Sequence, residues 1–235
     1  MYSNGTDNYY RLSSSGYYPD LLLPADQRVH VRKGVTVIWF ELSASLNEVG
    51  KHRINISAGG KTVGLDVEII DAELDFKDFV YTCWFHTDCL MSYYQFDAFS
   101  DAYWRVTRNF LKTAAEYGMT CVLTPLFTPP LDTAIGGERP TVQLVDVTIT
   151  KGKYAFNFDK LTRWIEMATQ CGIQYFEFSH FFTQWGAKNA PKIMATVDGE
   201  YKKIFGWETK AMSRAYKAFL KSFSSQSCSL KNKMP

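Results

Sequence analysis

Between residues 27 and 71 apolar and polar positions alternate along the chain. Val29 and Val31, then Val35, Val37 and Trp39, then Ile54 and Ile56, then Val63, Leu65, Val67 and Ile69 are flanked by polar neighbours. This is the period-two pattern of half-buried strands. Gly59-Gly60 predicts a tight hairpin turn between the last two runs. Strands of this number make about half of a β-sandwich, too few to close one. Residues 1–24 are polar and aromatic and end in Tyr18-Pro19-Asp20-Leu21-Leu22-Leu23-Pro24, which predicts an extended linker. Residues 1–71 are therefore expected to form a linker and a partial β-sandwich domain, completed by the next domain or by strands upstream of Met1.

After Asp71 the period changes. An apolar run at 79–85 predicts a strand, and a loop leads to a helix over 100–116, with Ser100 as N-cap and Gly118 as stop. A second unit has a strand at 120–126, a proline-rich loop, and a hairpin turning at Lys151-Gly152-Lys153. Its helix runs over 159–170, capped by Asp159 and ended at Gly172. A third unit has a strand at 173–178, a long loop carrying Ser179, His180, Gln184, Trp185, Lys192, Asp198 and Trp207, and a helix over 208–223.

Strand, long loop and helix in repetition predict parallel βα units. The elaborate loops all follow strands, while the returns from helix to strand are short. That asymmetry marks a TIM-type (β/α)₈ barrel, whose active face lies at the C-terminal ends of its strands. Such a barrel takes roughly 250 residues. The expected architecture is therefore α/β with an N-terminal all-β part: the partial β-sandwich, then the first three βα units of an incomplete barrel over 72–235.

Composition narrows the function. The chain has 235 residues, 46% hydrophobic and 21% charged, which are the proportions of a folded protein. The formal net charge of +2 carries no basic run, which argues against nucleic acid as partner. Aromatic residues reach 16%, more than a core of this size needs, so exposed rings are expected. Such rings stack on the C–H faces of sugars and serve protein interfaces. The cysteines Cys83, Cys89, Cys121, Cys171 and Cys228 form no CxxC pair and read as free thiols. The scattered histidines give no metal site, and nothing in the sequence calls for a cofactor. No apolar run reaches the roughly 18 residues of a membrane span. The first 20 residues are polar rather than signal-like, and the compartment stays open. An open sheet edge would leave helix faces uncovered, and self-association remains an alternative.

On the expected active face, His86 and Asp88 follow the first strand and Asp132, Glu138 and Arg139 the second, with Glu177 and His180 at the third. Trp84, Tyr93, Tyr94, Phe127, Trp185 and Trp207 supply aromatic walls. Carboxylates between aromatic walls suit glycoside chemistry, in which acids handle protons and rings hold the sugar. The alternative for Glu138-Arg139 is a solvated pair fixing a loop. Trp39, Trp104 and Trp164 are expected to pack in cores.

The order of these pieces resembles the glycoside hydrolase family 123-like proteins, which include the bacterial domain of unknown function 4091 group. The resemblance is carried by Tyr18-Pro19-Asp20-Leu21-Leu22-Leu23-Pro24, Trp84-Phe85-His86-Thr87-Asp88, Phe127-Thr128-Pro129-Pro130-Leu131-Asp132-Thr133 and Glu138-Arg139-Pro140-Thr141-Val142-Gln143-Leu144-Val145. Ser179-His180, Thr183-Gln184-Trp185-Gly186-Ala187 and Phe205-Gly206-Trp207 extend it over about residues 17–223. It implies a β-sandwich followed by a TIM-like barrel. It also implies retaining hydrolysis of terminal N-acetylhexosamine or related glycosides, the substrate's acetamido group acting as nucleophile beside an Asp-Glu pair. No such pair occurs in residues 172–235, where residues 224–235 stand in place of the expected strand. The resemblance therefore implies a chain ending before its catalytic acid and inactive by itself. His86, Asp88, Asp132, Glu177, His180, Trp185 and Trp207 are the expected carbohydrate-binding positions. Two alternatives are a non-catalytic carbohydrate-binding module and a glycosidase using Glu177 as general acid.

Overall fold

The computed structural model describes residues 33–34, 37–45, 48–72, 79–131, 133–134, 136–183 and 186–227. The chain divides into two compact units, Met1–Glu73 and Leu74–Pro235.

The first unit contains, among its described residues, one antiparallel hairpin of β1 (Gly50–Ala58) and β2 (Lys61–Ile69). Its turn is Gly59-Gly60, at φ +56° and +76°, the left-handed values that a two-residue turn matched to strand twist demands. Ile54, Ile56, Val67 and Ile69 are half-buried on one face, as the alternation predicted, whereas Val63 and Leu65 of that face are exposed. Arg53 faces Asp66 across the ladder, Nη1 to Oδ1 at 2.7 Å. The expected strand through Val37 and Trp39 is not formed: residues 37–45 have no regular structure, and Trp39 is 73% exposed instead of packed. Val29, Val31 and Val35 lie outside the described residues.

Among its described residues, the second unit is a mixed α/β assembly of two sheets with four helices. The first sheet is parallel, in the order β3 (Thr82–Cys83), β4 (Cys121–Thr124), β7 (Tyr175–Phe178). No closed barrel is present among the described residues. Spatial order follows chain order because a helix lies between each strand and the next: α2 (Asp101–Glu116) before β4 and α3 (Asp159–Gln170) before β7. Ser100 caps α2, its Oγ accepting from Tyr103 N at 3.2 Å. The buried face of α2 is Tyr103, Trp104, Thr107 and Leu111, which recur at helical spacing. From α3, Trp164 is fully buried, and its Nε1 donates to Thr124 Oγ1 of β4 at 3.3 Å. The N-cap of α3 is Phe158 rather than Asp159, which occupies the first turn and accepts from Asn157 Nδ2 at 2.9 Å. Trp104 and Trp164 lie in the core, as expected.

The second sheet has the order β6 (Lys153–Asn157), β5 (Asp146–Thr150), β8 (Ile193–Val197), β9 (Glu200–Phe205). It consists of two hairpins joined by a parallel seam in which Thr148 faces Thr196 and Ile149 faces Val197. Both hairpins turn on a left-handed pair, Lys151-Gly152 at φ 50° and 75° and Asp198-Gly199 at φ 47° and 96°. Lys151 N donates to Asp198 Oδ1 at 3.2 Å, tying one turn to the other. The hairpin at 193–205 replaces the long loop expected there. A short helix, α1 (Thr87–Tyr94), likewise replaces part of the loop after β3.

The last helix, α4 (Arg214–Ser227), begins six residues after the expected Glu208. Thr209–Ser213 is instead held as turns, with Asn189 bridging Lys210 and Ala190 N donating to Thr209 O at 2.8 Å. The buried Phe219 of α4 has ring centroids 5.4 Å from Phe127, 5.4 Å from Tyr154, 5.6 Å from Phe156 and 5.3 Å from Phe205. One ring thus joins the strand-following loop at Phe127, the hairpin and β9. Each aromatic pair of this kind adds about 0.5–1.5 kcal/mol to area burial, so truncating Phe219 to Ala should cost about 3–5 kcal/mol. Among the described residues no helix is long and apolar enough to cross a membrane.

Two core phenols make stability depend on alkaline pH. Burial pushes the Tyr103 phenol up despite its 2.8 Å hydrogen bond with Thr87 Oγ1, and burial pushes Tyr216 up likewise. A group whose folded value is raised stabilises below its unfolded value and loses that contribution as pH climbs. Above the ordinary phenol value of 10.0 the unit should therefore lose stability. The loss should be about 1.4 kcal/mol per pH unit for each tyrosine. Urea midpoints measured from pH 9 to 11 should fall, and Tyr103→Phe should flatten the slope by about one tyrosine's share.

Candidate functional site

Strand order decides where a site can form. Loops leaving the C-terminal ends of β3, β4 and β7 emerge at one end of the parallel sheet, the end where open α/β sheets hold ligands. The loop after β3 leads into α1, whose second residue is Asp88. The loop after β4 carries Thr128 to Arg139, and the segment after β7 carries Thr183 to Lys192.

A buried ion pair joins the first two. Asp88 and Arg139 have side chains only 6% and 9% exposed, with Nη2 to Oδ2 at 3.0 Å and Nε to Oδ1 at 3.2 Å. Arg139 also donates to Leu131 O at 3.3 Å and to Cys89 Sγ at 3.0 Å. Burial by itself would lower the Arg139 pKa, but the hydrogen bonds and charge of Asp88 outweigh it and hold the guanidinium raised. Arg139 is therefore no solvated partner of Glu138. Glu138 pairs instead with Lys203 of β9 at 2.9 Å. That hydrogen bond raises the lysine's pKa against a small opposing effect of burial, and Glu208, at 3.2 Å, adds to the rise.

The third loop is tied to the second through the backbone. Lys192 Nζ donates to Arg139 O at 3.1 Å, and Thr128 N donates to Lys192 O at 3.3 Å. Just beyond, Gln143 is buried with its amide satisfied. Its Nε2 donates to Val145 O and Met194 O, and its Oε1 accepts from Met194 N, each at 2.9 Å.

Between these loops lies a cleft of about 180 Å³. Trp207, 49% exposed, forms one wall. Its ring lies against Gly136, where φ is +80° and an added Cβ would stand 3.4 Å from Trp207 Cδ2. Glycine at 136 thus serves both a left-handed backbone and the close approach of the indole. Arg139, Lys188, Asn189 and Lys192 border the same space.

Glu177 is elsewhere. In β7 it pairs in register with Leu123, and its side chain reaches across β4 to β3. Thr82 Oγ1 donates to Oε2 at 2.9 Å, and Trp84 Nε1 donates to both oxygens at 3.3 Å. Register and alternation set Thr82 and Glu177 on the sheet face opposite the one that Trp164 covers. His180 is exposed with its ring edge-on to Trp84, centroids 5.9 Å apart. His86 is the N-cap residue of α1, its side chain making no cap bond.

The expected binding residues therefore fall into separate groups. Trp207 lines the cleft, Asp88 braces it through Arg139, and Glu177 with His180 forms a cluster around Trp84. Asp132 and Trp185 lie outside the described residues. Lys188, Asn189 and Gly136 were missed by sequence reasoning. Gly136-Gly137 in a proline-rich loop was the readable signal for the last.

The buried and exposed carboxylates should respond differently to removal. Asp88→Ala leaves Arg139 charged and unpaired in the interior and should cost about 3–5 kcal/mol. Glu177→Ala leaves donors that water reaches and should cost about 1 kcal/mol. Urea unfolding of both variants reads the difference.

The family described as "Glycoside hydrolase 123, catalytic domain" matches residues 84–229. Among solved structures, a family 123 glycoside hydrolase from Clostridium perfringens, reported in a study of glycolipid glycan hydrolysis, superposes with a TM-score of 0.56 at 15% identity. The match covers 77% of this chain and 33% of that chain, so the present chain spans about a third of that protein's length. No curated protein matches. With 84–229 of its residues assigned, this chain belongs to the glycoside hydrolase 123 catalytic-domain family.

Proposed function

We propose that the chain supplies the first three βα units of a (β/α)₈ glycoside hydrolase barrel, preceded by part of a β-sandwich, and forms the sugar-holding side of its active site. The observation that carries this reading is the position of the cleft, at the C-terminal ends of a parallel sheet and walled by an exposed indole. The substrate class is a glycan ending in N-acetylhexosamine or a related sugar, cleaved with retention. In that chemistry the substrate's acetamido oxygen attacks its own anomeric carbon while an acid protonates the leaving oxygen. Water then attacks the anomeric carbon from the face that the leaving group vacated, opening the cyclic intermediate with net retention. Trp207 would stack on the sugar ring, and the braced loops would fix its orientation.

Two other readings stand beside it, and the first has support of its own. Glu138 is the acid bordering the cleft among the described residues, and Lys203 holds it. That favours a carbohydrate-binding role without catalysis by this chain. Glu177 is the alternative proton donor, although both its oxygens are engaged by Thr82 and Trp84.

Aryl N-acetylhexosaminides and plain aryl hexosides separate these readings. Turnover confined to the acetamido substrates supports acetamido assistance, and equal turnover of both contradicts it. Binding without turnover supports the binding role. A fall in kcat of about 10²–10⁴ in Glu177→Gln would make Glu177 the acid. Trp207→Ala should weaken sugar binding about tenfold, roughly 1.4 kcal/mol. Unchanged affinity in that variant would remove the stacking wall from the account.

A further inference from the structure

Among the described residues, the charges around the cleft do not balance. Its acid among the described residues, Glu138, is taken by Lys203, which lies outside the lining, at 2.9 Å. Its guanidinium, Arg139, is taken by Asp88 at 3.0 Å. Two ammonium groups remain. Lys188 is exposed, and among the described residues no hydrogen bond or ion pair engages its side chain. Lys192 spends one donor on a neutral carbonyl, Arg139 O, at 3.1 Å, and an ammonium has three to give. Asn189, on the same rim, offers a side-chain amide that no hydrogen bond among the described residues occupies.

A neutral sugar makes no use of these two charges. Desolvating an ammonium against hydroxyl groups loses hydration without a charge in return. An anionic substituent on the sugar reverses the balance, because each contact to it becomes a charge-assisted hydrogen bond. The lining suits the same ligand, since it holds both an indole for the ring face and ammonium groups for a charged substituent.

We propose that the cleft is a subsite for an acidic saccharide unit, in which Trp207 holds the ring while Lys188 and Lys192 hold a carboxylate or sulfate substituent. This rests on the carbohydrate reading of the site and adds the charge of the sugar. Lys188 acts here as a specificity-determining residue.

The test is titration calorimetry on the full chain with matched pairs of sugars at low salt. Galacturonate is compared with galactose, and sulfated with plain N-acetylgalactosamine. The acidic member of at least one pair should bind about tenfold tighter, and salt should narrow the gap. Which pair shows it assigns carboxylate or sulfate. Lys188→Gln, an exposed change checked by circular dichroism and urea midpoint, should shrink the gap at least threefold. Lys188→Arg, which keeps the charge, should preserve most of it. Equal affinity within both pairs, with neutral binding still lost in Trp207→Ala, overturns this inference and leaves the carbohydrate reading standing. A gap unchanged in Lys188→Gln overturns the assignment of that residue. No binding of any sugar overturns both readings together.

Discussion

Asp88 and Arg139 come from elements 51 positions apart in the chain, and the contact between them sets the geometry of everything at that end of the sheet. A buried pair is weak evidence of stability, because desolvating both ions offsets most of their attraction. Its value lies in position. Once Arg139 is fixed by Asp88 and Leu131 O, its own carbonyl is fixed, and that carbonyl receives Lys192 from the third loop. Three loops leaving three strands are thereby held in one register, and the cleft is the space that the arrangement leaves. Replacing the pair with apolar side chains of similar volume could keep the fold. It would give up the directional contacts that place Leu131 and Cys89 around the same guanidinium.

The second constraint is aromatic. Phe219 and Phe223 of the last helix draw Phe127, Phe156 and, through Phe219, Phe205 into one cluster. Phe127 begins the loop that carries the cleft, and Phe205 lies two residues before Trp207. Core packing therefore positions the indole wall through a short lever. Lys188 and Lys192, which line the same cleft, sit on a segment held by backbone contacts to Thr209 and Ala211. Rigid packing on one side and hydrogen-bonded turns on the other give the cleft a defined width.

Much of this was legible in the sequence, and where it was not, the reason is physical. The helices at 101–116 and 159–170 followed from apolar spacing and from Ser100, and the hairpins turning at Gly59-Gly60 and Lys151-Gly152 from their left-handed turns. The hairpin at 193–205 carried the same signature in Asp198-Gly199. It was read as loop because Lys202 and Lys203 break the apolar alternation of β9 on its exposed stretch. The helix α4 starts late because Lys210 is committed to a bridge with Asn189, a contact that no local pattern reveals. Val37 and Trp39 show the converse, an alternating pattern that forms no strand. Among site residues, Trp207 in a cleft could be read from its place in a strand-following segment. The partner of Arg139 could not, because neighbours in sequence made Glu138 the obvious choice while the fold brought Asp88 to it.

The central claim is that a sugar occupies the space between Trp207 and the loops braced by Asp88, Arg139 and Lys192. A crystal structure of the chain soaked with N-acetylgalactosamine addresses it most directly. The account predicts a sugar ring stacked on the Trp207 indole above Gly136, with the Arg139–Lys192 contact intact. A sugar seated instead over Trp84, Glu177 and His180, with the Trp207 cleft empty, would contradict it.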